Sequence, residues 1–136
     1  MFEVVEHTAD IGFRASGQTE LQMLEEAAKA LVSIAVELND IEPKQHYELE
    51  VSGEDAETLL VNWLSEVLYY LDGKRVALCR FAVHEADGGR IKAEAWGEPR
   101  DPKKHRTKIV VKGVTWHQLR VWRDDKNWNC QVFLDI

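Results

Sequence analysis

The run His7-Thr8-Ala9-Asp10-Ile11-Gly12-Phe13-Arg14-Ala15-Ser16 sets ionisable and hydroxyl side chains at the head of an apolar alternation. Ile11, Phe13 and Ala15 recur with period two and Gly12, Arg14 and Ser16 fall between them, which predicts a half-buried strand just after Asp10. The far end of the chain carries a matching pattern: Trp128, Cys130, Val132 and Leu134 share one parity, and Asn129, Gln131, Phe133 and Asp135 the other. The two ends are expected to meet, with Asp10 and Asp135 sharing one site.

Two helical stripes lie between these ends. Thr19-Glu20-Leu21-Gln22 fits a capping box, in which the Thr19 hydroxyl accepts from the backbone three residues on and Gln22 reaches back. Leu21, Leu24, Ala27, Ala28, Leu31, Ile34 and Ala35 follow at helical spacing, predicting a helix over about 20–36 that Asn39-Asp40 and Pro43 stop. Leu59, Leu60, Trp63, Leu64, Val67, Leu68 and Leu71 form the most apolar stripe, opened by Asp55 and Glu57 at the positive end of the helix dipole and stopped at Asp72-Gly73.

The remaining segments read as strands. They are 2–7, a strand around Tyr47, Leu49 and Val51, a hairpin of 76–85 and 89–96 turning at Asp87-Gly88-Gly89, then 109–111, 114–116, 119–122 and 128–134, with Gly113 a bulge or bend. Gly97 to Thr107 reads as an irregular loop, long enough to be functional. No repeat, linker or low-complexity tract interrupts the chain. The expected fold is α+β: a single compact domain, residues 1–136, with a mainly antiparallel sheet and two helices packed on one face.

Composition narrows the function. The chain has 136 residues and a formal charge of -7, which argues against a general binder of nucleic acid or anionic membrane. No signal peptide or run of about 18 apolar residues is present, so a cytoplasmic location and no membrane contact are expected. Cys79 and Cys130 each fall on the apolar parity of a strand, which favours inert core thiols over a disulfide. They also lack the spacing of a zinc site.

Hard cations take oxygen ligands, and Asp10, Asp135 and a main-chain or terminal oxygen of Ile136 could supply them. The alternative is that Asp10 caps a turn and Asp135 is solvated. His7, His105 and His117 could join as ligands or proton carriers, but scattered histidines form no motif. Thr8 and Ser16 lack the elbow and base of a nucleophilic hydrolase. Lys103, Lys104, Arg106, Lys108 and Lys112 concentrate positive charge that could meet RNA or an acidic partner, or form a solvated loop. Trp116, Trp122 and Trp128 read as core or sheet-face aromatics.

Glu6-His7-Thr8-Ala9-Asp10-Ile11-Gly12-Phe13, Leu59-Leu60-Val61-Asn62-Trp63-Leu64-Ser65-Glu66, His105 with Val111-Lys112-Gly113-Val114-Thr115-Trp116-His117, and Leu134-Asp135-Ile136 together resemble the archease family, in the family's order. The resemblance implies a non-catalytic, metal-dependent activator of an RtcB-type RNA ligase in tRNA splicing or RNA repair, promoting guanylylation of the ligase and multiple turnover. It implies a divalent ion (Ca²⁺, Mg²⁺ or Mn²⁺) on Asp10, Asp135 and Ile136, with His7, Glu66, His105, Lys112 and Thr115 bordering the same face. RNA would be met only indirectly or weakly. Position 62 is Asn where many relatives have Asp, and Gly113 and Trp116 stand where Ala and Tyr are common. Two other readings are a small metal-dependent phosphohydrolase using Asp10, Asp135 and His7, and an RNA-binding modulator of a tRNA-modifying enzyme using the Lys103 to Lys112 region.

Overall fold

A computed structural model describes residues 1–6 and 10–136. The chain runs β1 (Phe2–Glu6), β2 (Asp10–Gly17), α1 (Glu20–Ala35), a 3-10 turn (Leu38–Asp40), β3 (Gln45–Ser52), α2 (Ala56–Asp72), β4 (Val76–Glu85), β5 (Arg90–Pro99), β6 (Gly113–Val114), β7 (Arg120–Arg123) and β8 (Trp128–Asp135). All strand pairs are antiparallel. They form a five-stranded sheet, β1-β2-β8 with β6 and β7 also paired to β8, and a three-stranded sheet, β3-β5-β4.

The α+β class, the antiparallel pairing and the two helices match the sequence reading, and the strands divide between two sheets joined by the helices. Helix α1 packs on β1, β2 and β8 of the first sheet and on β4 of the second, while α2 packs on β3, β4 and β5 and reaches β6 and β7. This explains why α1 buries nine residues around its circumference instead of one stripe. Trp63 is wholly buried, and its indole N–H donates to the Leu24 carbonyl at 2.9 Å, tying the helices together.

Local chemistry sets the element ends. The Thr19 hydroxyl accepts from the Gln22 N–H at 3.1 Å, and the Gln22 side chain accepts from the Gln18 N–H at 2.9 Å, one residue earlier than a standard capping box. Asp55 caps α2 by accepting from the Thr58 N–H at 2.7 Å. The β4–β5 hairpin turns at Asp87-Gly88-Gly89, where both glycines have positive φ.

Three sequence expectations change. Gly97 belongs to β5, not to a loop, because a Cβ there would lie 1.9 Å from the Ala77 carbonyl oxygen and only glycine admits the neighbouring strand. Residues 109–111 form no strand. Val111 is apolar because the loop tucks it into the core, and the Lys108 N–H donates to the Ala35 carbonyl at the end of α1 (2.7 Å). The strands expected at 114–116 and 119–122 are Gly113–Val114 and Arg120–Arg123.

Candidate functional site

Strand β2 pairs with β8 in a register that sets Asp10 opposite Asp135, Ile11 opposite Leu134, and Phe13 opposite Val132. The apolar partners face the helices and are buried. Asp10 and Asp135 have the other parity and rise together from the outer face, where directly paired residues place their Cβ atoms roughly 4.5–5.5 Å apart. Asp10 is half-buried and Asp135 exposed. Gly113 on β6 is also a partner of Asp135, so the row crosses three strands.

The surroundings hold this corner rigid. Phe133 lies against Gly12, where a Cβ would come within 2.8 Å of the Phe133 ring, and the His117 ring packs edge-on to Phe133 at 5.6 Å. Thr115 donates both its N–H and its hydroxyl to the Phe133 carbonyl, each at 3.0 Å, and the Lys112 N–H donates to the Asp135 carbonyl at 2.7 Å. Thr115 therefore clamps the backbone of β8, and the exposed Lys112 is tied to it through its N–H. Ile136, 38% exposed, adjoins them. Glu66 is half-buried on α2, the helix that reaches β6. His7 and Thr8 lie outside the described residues.

His105 occupies a different place. Its ring is 1% exposed, Nδ1 accepts from the Asp101 N–H at 2.9 Å, and Nε2 stands 2.8 Å from the Glu98 carboxylate. With Nδ1 accepting, Nε2 carries the proton and donates to Glu98. Both nitrogens are taken up, so the imidazole offers no ligand atom to Asp10 and Asp135. Glu98, which sequence reasoning missed, also accepts from the Glu42 N–H and pairs with Lys104. The signal for it was an acid at the end of an apolar strand, followed by Lys104-His105.

The basic concentration is partly spent within the chain. Lys104 pairs with Glu98 at 2.9 Å and Glu42 at 3.5 Å, and Lys108 donates to the Ser33 carbonyl at 2.8 Å. Cys79 and Cys130 are free thiols, and burial pushes Cys130 up to about 12, which suits inert packing.

The arrangement suits a hard divalent ion. Carboxylates directly opposite one another across a strand pair repel, and among the described residues neither Asp10 nor Asp135 has an ion-pair partner. Among those residues no three His, Cys, Asp or Glu side chains form a ligand cluster. Asp10 and Asp135 would offer two carboxylates, to be completed by main-chain oxygen and water, a donor set that Ca²⁺, Mg²⁺ and Mn²⁺ accept.

Residues 2–136 match the model of the Archease protein family (MTH1598/TM1083). The chain belongs to the archease family. An archease from Pyrococcus furiosus is 40% identical over 139 residues, covering 99% of this chain and 98% of the relative. The archease of Sulfurisphaera tokodaii is 36% identical over 136 residues, with the same coverage. The solution structure of Methanobacterium thermoautotrophicum protein 1598 superposes with a TM-score of 0.85 at 28% identity, covering 99% of this chain and 98% of that one. A Thermotoga maritima protein described as an archease and possible chaperone shares the fold, with a TM-score of 0.67.

Gly113 and Asn62 have a plain structural reading. A Cβ on Gly113 would meet nothing within 4 Å, so glycine there relieves no clash. The Asn62 amide donates to the Ser52 carbonyl at 2.7 Å, which the carboxylate of an aspartate could not do. No helix among the described residues is long and apolar enough to cross a membrane.

Proposed function

We propose that the chain is a non-catalytic, metal-dependent activator of an RtcB-type RNA ligase, promoting its guanylylation and multiple turnover in tRNA splicing or RNA repair in the cytoplasm. The family membership supports this reading, and the observation that carries it is the opposition of Asp10 and Asp135 on rigid, core-anchored strands. Asp10, Asp135 and a main-chain oxygen of Ile136 would hold the ion. A bound divalent ion would supply positive charge to stabilise phosphate oxygens at the ligase's nucleotide site.

The chain's own residues present that charge. Thr115 and the Lys112 N–H fix the backbone of β8 so that Asp135 stays in register with Asp10. Lys112, bonded through its N–H to Asp135, and Ile136, next to it in the chain, are both exposed and would meet the ligase surface. The internal pairing of Lys104 and Lys108 leaves less of the basic region for RNA, in keeping with a protein partner.

The test is RNA ligation by the cognate ligase under multiple turnover, with GTP and Mn²⁺ or Mg²⁺ and substoichiometric amounts of this chain. Stimulation by wild type, lost in folded Asp10→Ala and Asp135→Ala, is expected. No stimulation by folded wild type with either metal would overturn the proposal. A metal titration of the activation separates an ion-dependent role from direct carboxylate contacts, since the alanine variants remove both.

A further inference from the structure

The outer face of the three-stranded sheet carries a constellation that the proposed function does not use. His46 on β3, Glu94 on the central β5 and His84 on β4 form a row across all three strands. The Nε2 of His46 stands 2.7 Å from one Glu94 carboxylate oxygen, and the Nε2 of His84 is hydrogen-bonded to the other. Glu48 is the register partner of Glu94 and shares this face. All four side chains are reachable from solvent.

We propose that His46, His84 and Glu94, with Glu48 beside them, form a second metal site, selective for a zinc-type divalent ion. Imidazole nitrogen with carboxylate oxygen is the donor set of zinc and its neighbours, unlike the all-oxygen set at Asp10 and Asp135. Ligand bonds near 2.0–2.2 Å put neighbouring donors in a tetrahedral site roughly 3.3 Å apart. The His46–Glu94 separation of 2.7 Å is within roughly an ångström of that spacing. An ion would replace the proton that each ring now shares with Glu94, the ring proton moving to Nδ1.

The strand geometry is a second, independent observation. The register of β4 on β5 slips between Val83 and Glu85, so His84 is the extra residue of a β-bulge. Bulges interrupt a ladder and re-aim a side chain, and are over-represented beside functional sites. The Val83 N–H donates to the Glu25 carboxylate of α1 at 2.8 Å, which anchors the bulge to the helix layer. The Trp96 ring lies 5.5 Å from that of His46. An open cleft of about 480 Å³, lined by Glu48, Glu50, His84, Lys92 and Glu94, adjoins the row and gives the ion room for water or an exchangeable anion.

The two Nε2 atoms now point at different oxygens of one carboxylate, and no three such ligands among the described residues converge on one point. Convergence on one ion would require rotation of the exposed His46 and His84 side chains.

The probe is Co²⁺, followed by visible absorption with the untagged chain, and Zn²⁺, followed by calorimetry. Wild type should bind one Co²⁺ with the intense bands of tetrahedral coordination, and Zn²⁺ should displace it. His84→Ala and Glu94→Gln, checked for fold by circular dichroism, should weaken binding by more than about tenfold, since loss of even an outer-shell partner costs about that much. Asp10→Ala should leave the bands unchanged. Absence of the bands in wild type, their survival in both His84→Ala and Glu94→Gln, or their loss in Asp10→Ala would overturn the proposal. None of these results depends on ligase activation.

Discussion

Single residues here do work that their type alone does not reveal. Glu98 accepts from the Glu42 N–H, Lys104 and His105, and these hydrogen bonds, led by that of Glu42, hold its carboxyl near 2 against the opposing effect of burial. Its folded value is depressed, so its stabilisation is fully present above the ordinary 4.5 and is lost as pH falls from there towards about 2. Urea unfolding across that range should show an acid limb that flattens in Glu98→Gln, and an unchanged limb would remove Glu98 from the account. Asn62→Asp should cost about 0.5–1.5 kcal/mol in the same assay, because the Ser52 carbonyl loses its donor. An acid at 62 would suit this chain's structure less well than the amide does. The burial of His105 was equally illegible, since a histidine in a Lys-Lys-His-Arg run reads as solvated until Glu98 is placed against it.

At the scale of elements, the strands and helices were legible where period and punctuation agreed. Both helices, their caps and the β4–β5 hairpin turn follow from local sequence. Thr19→Ala should therefore lower stability by about 0.5–2 kcal/mol, through loss of the bond to the Gln22 N–H. Gly97 shows where local reading failed. A glycine two residues ahead of a proline signals a loop, and only the approach of the Ala77 carbonyl makes it a strand residue. Gly97→Ala should cost about 3 kcal/mol or more, because backbone must move to admit the methyl group, and a denaturation midpoint near that of wild type would contradict it. Val111 failed in the opposite sense, being apolar for burial in the core and not for pairing, while its neighbour Val110 stays exposed.

At the scale of the whole molecule, β8 organises the first sheet: β2 lines one edge over its full length while β7 and β6 divide the other. The ends of the chain meet there, and opposing carboxylates stand at the meeting point. Asp135→Ala should accordingly leave stability within about 0.5 kcal/mol of wild type or raise it. Addition of Mn²⁺ or Ca²⁺ should raise the thermal midpoint of wild type by mass action and leave that of the variant unmoved. Equal shifts in both proteins would place the ion elsewhere. The sequence by itself determined the elements that depend on neighbours in the chain: two helices, their caps, a hairpin turn and the inward parity of each strand. It also set the parity that puts Asp10 and Asp135 on the less apolar faces of their strands, while the β2–β8 register places them opposite one another. Only the tertiary structure decided that the strands form two sheets joined by helices, that His105 turns inward to Glu98, and that His46 and His84 meet on Glu94. Those arrangements rest on contacts between residues far apart in the chain, set by register and packing, to which local periodicity is blind.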